Sequence, residues 1–480
     1  MTKGKYKVQK ADYITVIGGG LAGCEASYQI AKRGIKVKLY EMKPVKFSPA
    51  HSNKDLAEIV CSNSFKSNLL TNACGLLKEE LRRLDSLLIK TADETSVPAG
   101  QALAVDREVF SKKITEAIES MENIEIIKEE FTSEMLEKAV KEGIVIIATG
   151  PLTSDELSKG IQKLTGKNDL HFYDAAAPII EKDSINFDIA FYGNRYDQEK
   201  KKEETEEEWK VRIADLSTSQ EDYINLPMSE EEYYKFVTEL NNAEVVTLHD
   251  FEKKEIFSGC MPIEIMSKNG DDTLRFGPLK PVGFDDPRTC RRPYAVVQLR
   301  QDNSEGNLYN MVGFQTNLKF GEQKRVFQMI PGLENAEFTK YGVMHRNTFI
   351  NSPELLDNTY NFKKNNNIYF AGQITGVEGY VESIASGIVS AINAVKQFKN
   401  GEDFEKIAFD PRTMIGALAS YISSENDTFQ PMNANYGIMP SLTDEEIEAS
   451  GMKRNVVKRD KKVKYGLLSE RALKVLQKID

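Results

Sequence analysis

Three glycines and one glutamate form the clearest chemical pattern in the chain. Gly18-x-Gly20-x-x-Gly23 lies between the apolar run Tyr13-Ile-Thr-Val-Ile17 and a helical stretch that begins at Leu21. Glu41 closes the next apolar run, Val37-Lys-Leu-Tyr40. Gly18 permits a tight turn, Gly20 lets backbone approach a pyrophosphate, and Gly23 permits close helix–strand packing. The helix N-terminus favours phosphate charge, and Glu41 can accept from ribose hydroxyls. In this strand–turn–helix–strand context the pattern reads as a dinucleotide site. Two cysteines sit in unusual surroundings. Cys61 lies in the polar stretch Glu58-Ile-Val-Cys-Ser-Asn-Ser-Phe-Lys-Ser-Asn68, with Lys66 close by in sequence. Cys260 lies in Phe257-Ser-Gly-Cys-Met-Pro-Ile-Glu264, where Gly259 and Pro262 suggest a constrained turn that presents the sulfur. A free thiol is more often buried and inert, so spacing alone assigns neither a role.

These residues need elements to position them. Tyr13–Ile17, the helix 21–33 stopped by Gly34, and the strand 37–40 make a β-α-β unit of a parallel sheet. The stretch 42–68 reads as mostly loop. Residues 75–88 carry leucines at helical spacing, and 105–121 is a second helix candidate. Ile144-Val-Ile-Ile147 is a buried strand closed by Ala148-Thr-Gly150. Residues 151–334 mix short strands, turns and helices. Within them the charged run 198–222 reads as an exposed loop or solvated helix. Ile368-Tyr-Phe-Ala371 and a helix over 381–396 resemble a return to the first domain. The expected class is therefore α/β: a Rossmann-like domain of the two-dinucleotide flavoprotein type, interrupted by an α+β insertion domain. Its parts are 1–150 and 335–440 for the cofactor domain, 151–334 for the insertion on the substrate side, and 441–480 for a basic helical tail.

Composition narrows the class. The chain has 480 residues, 40% hydrophobic and 28% charged, which suits about three domain-sized units with substantial cores. No apolar run approaches the ~20 residues that span a bilayer, and the basic first ten residues lead into no signal-peptide core. The chain is expected in the cytoplasm, with no membrane partner. A net charge of −10 disfavours strong non-specific nucleic-acid binding but leaves room for a local basic surface. The five cysteines include no Cys-x-x-Cys pair and there are only four histidines, so neither a disulfide framework nor a metal site is expected.

Two further features favour FAD over NAD. Ala148-Thr-Gly150 resembles the second cofactor contact of two-dinucleotide flavoproteins. Phe370-Ala-Gly372-Gln373 resembles the third, with Gln373 where an acid is usual. No second fingerprint of comparable quality is present for a nicotinamide nucleotide, so that donor would have to visit.

Longer blocks carry a more specific resemblance. They include Leu39-Tyr-Glu-Met-Lys-Pro44, Val60-Cys-Ser-Asn-Ser64, Phe172-Tyr-Asp-Ala-Ala-Ala-Pro178, Gly259-Cys-Met-Pro-Ile-Glu264, Arg292-Pro-Tyr-Ala-Val-Val-Gln-Leu-Arg-Gln-Asp-Asn303, Tyr341-Gly-Val-Met-His-Arg-Asn-Thr348 and Gly372-Gln-Ile-Thr-Gly-Val-Glu-Gly-Tyr380. From about residue 12 to about 440 the chain resembles the folate- and FAD-dependent tRNA uracil-5-methyltransferases.

The resemblance implies transfer of a one-carbon unit from methylenetetrahydrofolate to C5 of a uracil, with FAD as carrier and NADH or NADPH as reductant. It implies 5-methyluridine at U54 of the tRNA T-loop as the product. Cys260 takes the position of the nucleophile at uracil C6 and Cys61 that of the acid–base partner. An unperturbed thiol titrates near 8.5, and bringing it to about 6.5 requires ~2.7 kcal/mol of preferential thiolate stabilisation, to which Lys66 could contribute. His345 and Glu378 match folate positions, with Arg346 and Asn347 as weaker candidates for the same pocket. The cofactor residues are Gly18, Gly20, Gly23, Glu41, Gly150, Gly372 and Gln373. Arg288, Arg291, Arg292, Lys458 and Lys461 are the basic candidates for RNA phosphate. Cys290 stands where the family usually has glycine. The competing expectations are the same chemistry on a 23S rRNA uridine, a flavoprotein modifying wobble uridine in tRNA, and a non-catalytic FAD-containing RNA-binding protein. Retention of both Cys61 and Cys260 disfavours the last.

Overall fold

The computed structural model describes residues 11–166, 170–197, 200–201, 203–217, 223–246, 261–401, 404–426 and 429–476, with backbone only over 170–175 and 344–346. Strand β1 (Tyr13–Ile17) leads through the glycine turn into helix α1 (Leu21–Ala31), and β2 (Lys36–Glu41) returns beside β1 in parallel. Gly34 adopts φ +79°, the left-handed conformation that ends the helix. On the far side of β2 lies Ile124–Lys128. On the other side of β1 lie Val145–Ile147 and then Ile368–Phe370. All five strands are parallel. The chain order runs outward in both directions from β1, so the C-terminal ends of β1 and Val145–Ile147 flank a topological switch point, where such sheets bind ligands.

α1 is buried along nearly its whole length because the sheet covers one face and the helix Tyr380–Asn400 the other. Small residues make this possible: Ala22, Gly23, Cys24, Ala26 and Ser27 are all buried. The apolar groups of this body form one continuous core. A second body has its own core around a six-stranded antiparallel sheet, in the order Phe191–Tyr192, Ile224–Met228, Ala295–Gln301, Leu308–Met311, Ile179–Glu181 and Phe338–Lys340. Leu170–Ala175 and Met344–Phe349, paired antiparallel, carry the chain out to it and back. The α/β class with an interrupting α+β body is what the structure has.

Three local expectations change. The leucine-rich stretch 75–88 is two helices, Ala73–Arg83 and Leu87–Glu94. Asp85 takes φ +55° between them, and the Ser86 hydroxyl caps the second by accepting from the Ile89 N–H. The stretch 42–68 ends in a short strand, Ser64–Ser67. The charged run contains a helix, Glu206–Leu216, that buries Trp209 and Ile213 and starts with a Thr205–Glu208 capping box. The C-terminal helices Arg454–Arg459 and Lys461–Val475 pack back on the first body. Tyr465 stacks on Tyr436 at 4.4 Å, and the Tyr436 hydroxyl meets Ser469 and the Leu70 carbonyl. Among the described residues no helix is long and apolar enough to cross a membrane.

Two buried glutamates lock helix starts in this core. Glu25 on α1 accepts from Ser86 Oγ and the Leu88 N–H. Glu80 accepts from the Met414 and Ile415 N–H groups at 2.7 and 2.8 Å, at the N-terminus of Met414–Ser423. Burial outweighs those bonds and pushes the Glu80 carboxyl up to about 8. Its folded value lies above the unfolded one, so its contribution to stability is full at low pH and is lost as pH rises through about 8. Thermal unfolding of the wild type and Glu80→Gln should therefore show a melting-temperature difference, wild type minus variant, that falls steadily between pH 5 and pH 8.5. A difference independent of pH would contradict a protonated Glu80.

Candidate active site

The glycine turn builds an open cradle. Gly18 has φ +104°, and a Cβ there would stand 2.5 Å from the Ala148 carbonyl oxygen. A Cβ on Gly23 would stand 1.8 Å from the Gly18 carbonyl oxygen, so only glycine lets α1 start this close to β1. Gly20 is the N-cap of α1 with no side chain closing it, and a Cβ on it would meet nothing within 4 Å. The first amides of α1 thus face open space. That space is a cleft of about 1120 Å³, continuous with solvent, whose walls include Gly18, Gly20, Glu41, Gly150, Gly372 and Gln373. These come from the ends of β1, β2, Val145–Ile147 and Ile368–Phe370. Gly23 lies behind the wall. Gly150 and Gly372, at φ +65° and +81°, supply the other two turns, and the Gly372 N–H is held by Ser386 Oγ at 2.6 Å. The arrangement fits the pyrophosphate of a dinucleotide, with anion-binding amides at a helix start.

Glu41 is buried, and its two oxygens accept from the Gly19 and Lys43 N–H groups, both at 2.9 Å. The carboxylate therefore shapes the turn. Gln373 donates from Nε2 to Glu378 Oε2 at 2.5 Å, joining a candidate cofactor residue to a candidate folate residue in one pair. Sequence reading missed Lys43 and Glu58, which also line the cleft. Lys43 is buried and donates to the Asp55 carbonyl and to Glu58 Oε2. The block Leu39–Pro44 contained that signal without revealing the partner.

Cys61 lies on an irregular strap, residues 58–63, of which Glu58 and Val60 line the same cleft. The strap is tied by side chains from three directions. The Tyr380 hydroxyl, itself on the cleft wall, accepts from the Cys61 and Ser62 N–H groups at 3.0 and 3.1 Å. Arg107 reaches the Ile59 and Val60 carbonyls at 3.4 Å and pairs with Asp302 at 3.0 Å. Arg300 donates to Ser62 Oγ and Asn63 Oδ1. Burial, with the Cys61 sulfur second, pushes the Tyr380 hydroxyl's pKa up, so it remains a neutral phenol. Lys66 follows the strap. It sits at φ +61°, and its ammonium lies 3.6 Å from Glu382 Oε1 on the Tyr380–Asn400 helix.

Cys260 lies outside the described residues. The chain resumes at Met261, and the short helix Ile263–Ser267 is anchored by Glu264, whose buried carboxylate accepts from Thr316 Oγ1 and the Asn317 N–H. His345 is described by its backbone, which pairs with Asp174 across the two connecting strands. Asn347 is buried two residues on. Of the basic candidates, Arg288 is clamped by both oxygens of Asp286, while Arg291 and Arg292 are exposed on the same turn. Cys290 in that turn takes φ +52°, which explains why glycine suits the position. Lys458 and Lys461 are exposed on the C-terminal helices. Among the described residues no group of three or more His, Cys, Asp or Glu side chains could hold a metal ion.

Comparison with known proteins follows this geometry. The family model described as glucose inhibited division protein A matches residues 13–402. The methylenetetrahydrofolate-tRNA-(uracil-5-)-methyltransferase TrmFO of Acetivibrio thermocellus is 56% identical over 467 residues, covering 97% of this chain and 98% of its own. The chain belongs to the TrmFO family. The family member of Enterococcus faecalis is 52% identical over 97% of this chain and 99% of its own. Among solved structures, Aquifex aeolicus GidA superposes with a TM-score of 0.63 at 17% identity, over 98% of this chain and 76% of that one, which is a likeness of fold. TrmFO membership and the cradle agree on a flavoprotein architecture.

Glu41→Ala should leave two backbone donors at the cleft without their acceptor, a cost of about 1–3 kcal/mol for buried groups. The flavin-to-protein ratio after purification is expected to fall markedly while the far-ultraviolet circular dichroism stays native. Unchanged flavin content would contradict the place given to Glu41.

Proposed function

We propose that this chain is a cytoplasmic RNA methyltransferase that forms 5-methyluridine at U54 in the T-loop of tRNA, with methylenetetrahydrofolate as carbon donor and NADH or NADPH as reductant. One observation carries this reading: the strap that bears Cys61 forms part of the wall of the same cleft that the glycine cradle opens. Membership of a family named for folate-dependent uracil-5 methylation of tRNA supports the substrate class.

FAD, held by Gly18, Gly20, Glu41, Gly150, Gly372 and Gln373, would supply electrons and relay the one-carbon unit. The protein's own groups have to make C5 of uracil nucleophilic. The Cys260 sulfur bonds to C6 as a thiolate, and the C5–C6 π electrons move toward C5 and O4 to give an enolate that attacks carbon. Cys61 then takes the C5 proton as a base, and the electron pair left at C5 breaks the bond between the one-carbon unit and its carrier, so that C5 bears a methylene group. A hydride, which reduced FAD would supply, turns this methylene into methyl, and the C6–sulfur bond breaks to release the Cys260 thiolate. Both thiols return to their starting forms after proton exchange with water. Tyr380, kept neutral by burial, holds the Cys61 backbone without competing for that proton. Glu378, joined to Gln373, offers a carboxylate for the amino groups of a pterin, and His345 a ring to stack on it. The target uracil leaves its stack to reach the cleft, with Arg288, Arg291, Arg292, Lys458 and Lys461 as phosphate contacts.

Incubation with labelled methylenetetrahydrofolate, a nicotinamide donor and separate tRNA and rRNA transcripts tests the reading. Label is expected at C5 of the T-loop uridine. Label only at the wobble position, only in rRNA, or nowhere would overturn it. Cys260→Ala should abolish transfer with flavin retained. Cys61→Ala should lose about 10²- to 10⁴-fold, the range of a missing acid–base group.

A further inference from the structure

The strap over residues 58–63 has no helix or strand to stiffen it, so its position is set from outside. Two of its ties come from the first body, Tyr380 and Arg107. The third comes from the second body and is unlike the others. Arg300 is the penultimate residue of the central strand Ala295–Gln301, and only 8% of it is exposed. Its Nε donates to Asn63 Oδ1 at 3.0 Å and its Nη2 to Ser62 Oγ at 2.7 Å. Among the described residues no carboxylate lies within ion-pair distance of it. The acid two residues on, Asp302, is engaged by Arg107. Burial accordingly lowers the pKa of the Arg300 guanidinium. A buried cation satisfied by neutral acceptors is expensive and is a poor device for stability alone.

The other partners at this place point the same way. Asn63 is fully buried, and its amide donates to the carbonyls of Val105 and Gln301, spanning the two bodies. Ser304, just past the strand, donates through its N–H and its hydroxyl to Asp106, the N-cap of the helix Arg107–Glu119. Residues 300–304 thus read the strap and its neighbouring helix together.

We infer that Arg300 is a positioning residue for the methyl-transfer reaction: it ties the Cys61 strap to the second body, so that the Cys61 backbone keeps one fixed place beside the cleft. The inference rests on the role proposed for Cys61, but the tie itself can be read without it. Methionine at 300 keeps the length and removes both donors. Lysine keeps charge and one donor. Alanine leaves room for free guanidinium.

Amide hydrogen exchange measured on peptides covering 58–65 in the flavin-loaded protein should be about tenfold faster in Arg300→Met, with peptides of β1 and α1 unchanged. The kcat for label transfer should fall about a hundredfold, as displacement of a reacting group by an ångström would cause, with KM for tRNA near wild type. Arg300→Lys should be intermediate, and guanidinium added to Arg300→Ala should restore part of kcat. Wild-type exchange in the strap would overturn the tie. Faster exchange with wild-type kcat, in a protein whose Cys61→Ala variant is inactive, would overturn the positioning role. Faster exchange with wild-type kcat in both variants would uphold the tie and remove instead the role proposed for Cys61.

Discussion

The backbone of α1 lies so close to β1 and to the helix Tyr380–Asn400 that no side chain fits between them. Cβ atoms on Gly23 and Gly387 would stand 1.8 Å from the Gly18 carbonyl oxygen and 2.5 Å from the Ala22 carbonyl oxygen. Overpacking of an ordinary core costs about 1–3 kcal/mol, and contacts this short against backbone have no flexible side chain to give way. This double approach draws the start of α1, the turn after Val145–Ile147 and the turn after Ile368–Phe370 onto one point at the sheet's C-terminal edge. The amides there remain open because Gly20 carries no side chain. Everything placed around the cleft, from Glu41 to Tyr380, is placed by that convergence.

The second body is fastened to this point rather than merely attached to it. Its central strand ends in Arg300, Gln301 and Asp302, and each meets a group of the first body: Ser62 and Asn63, the Asn63 amide, and Arg107. Surface ion pairs contribute little, but Arg107–Asp302 is largely buried and hydrogen-bonded at both ends. A body held this way keeps the end of its central strand fixed against the strap beside the cleft. The antiparallel pair Leu170–Ala175 and Met344–Phe349 carries the chain out and back, so that one chain builds both.

The cradle was legible in the sequence because its chemistry is local. Gly18, Gly20, Gly23 and Glu41 fall within one β-α-β unit, where spacing translates directly into geometry. Tyr13–Ile17, Val145–Ile147 and Ile368–Phe370 were legible because they are buried and nearly uniformly apolar, whereas the edge strand Ile124–Lys128, half-exposed and carrying charges, went unread. The break at Asp85 was hidden because leucines on both sides of it feed the same core, so the helical spacing continues across a capped turn. The charge of the run 198–222 left loop and solvated helix open, and it hid the buried face of Glu206–Leu216 that Trp209 and Ile213 make. The ties on the Cys61 strap were beyond reach altogether. Tyr380 and Arg300 lie 319 and 238 residues from their partners, and nothing in a single sequence couples positions so far apart. The pairing of Lys66 with Glu382 was equally out of reach, the two lying 316 residues apart in the chain.

The account comes down to which sulfur attacks the pyrimidine ring. An RNA carrying 5-fluorouridine at the target position makes this visible, because fluorine cannot leave C5 as a cation and the thioether at C6 persists. Digestion of the complex formed with flavin, folate and reductant, followed by mass spectrometry, should find the nucleotide on the peptide that contains Cys260. An adduct on the Cys61 peptide, or one that survives in Cys260→Ala, would contradict it.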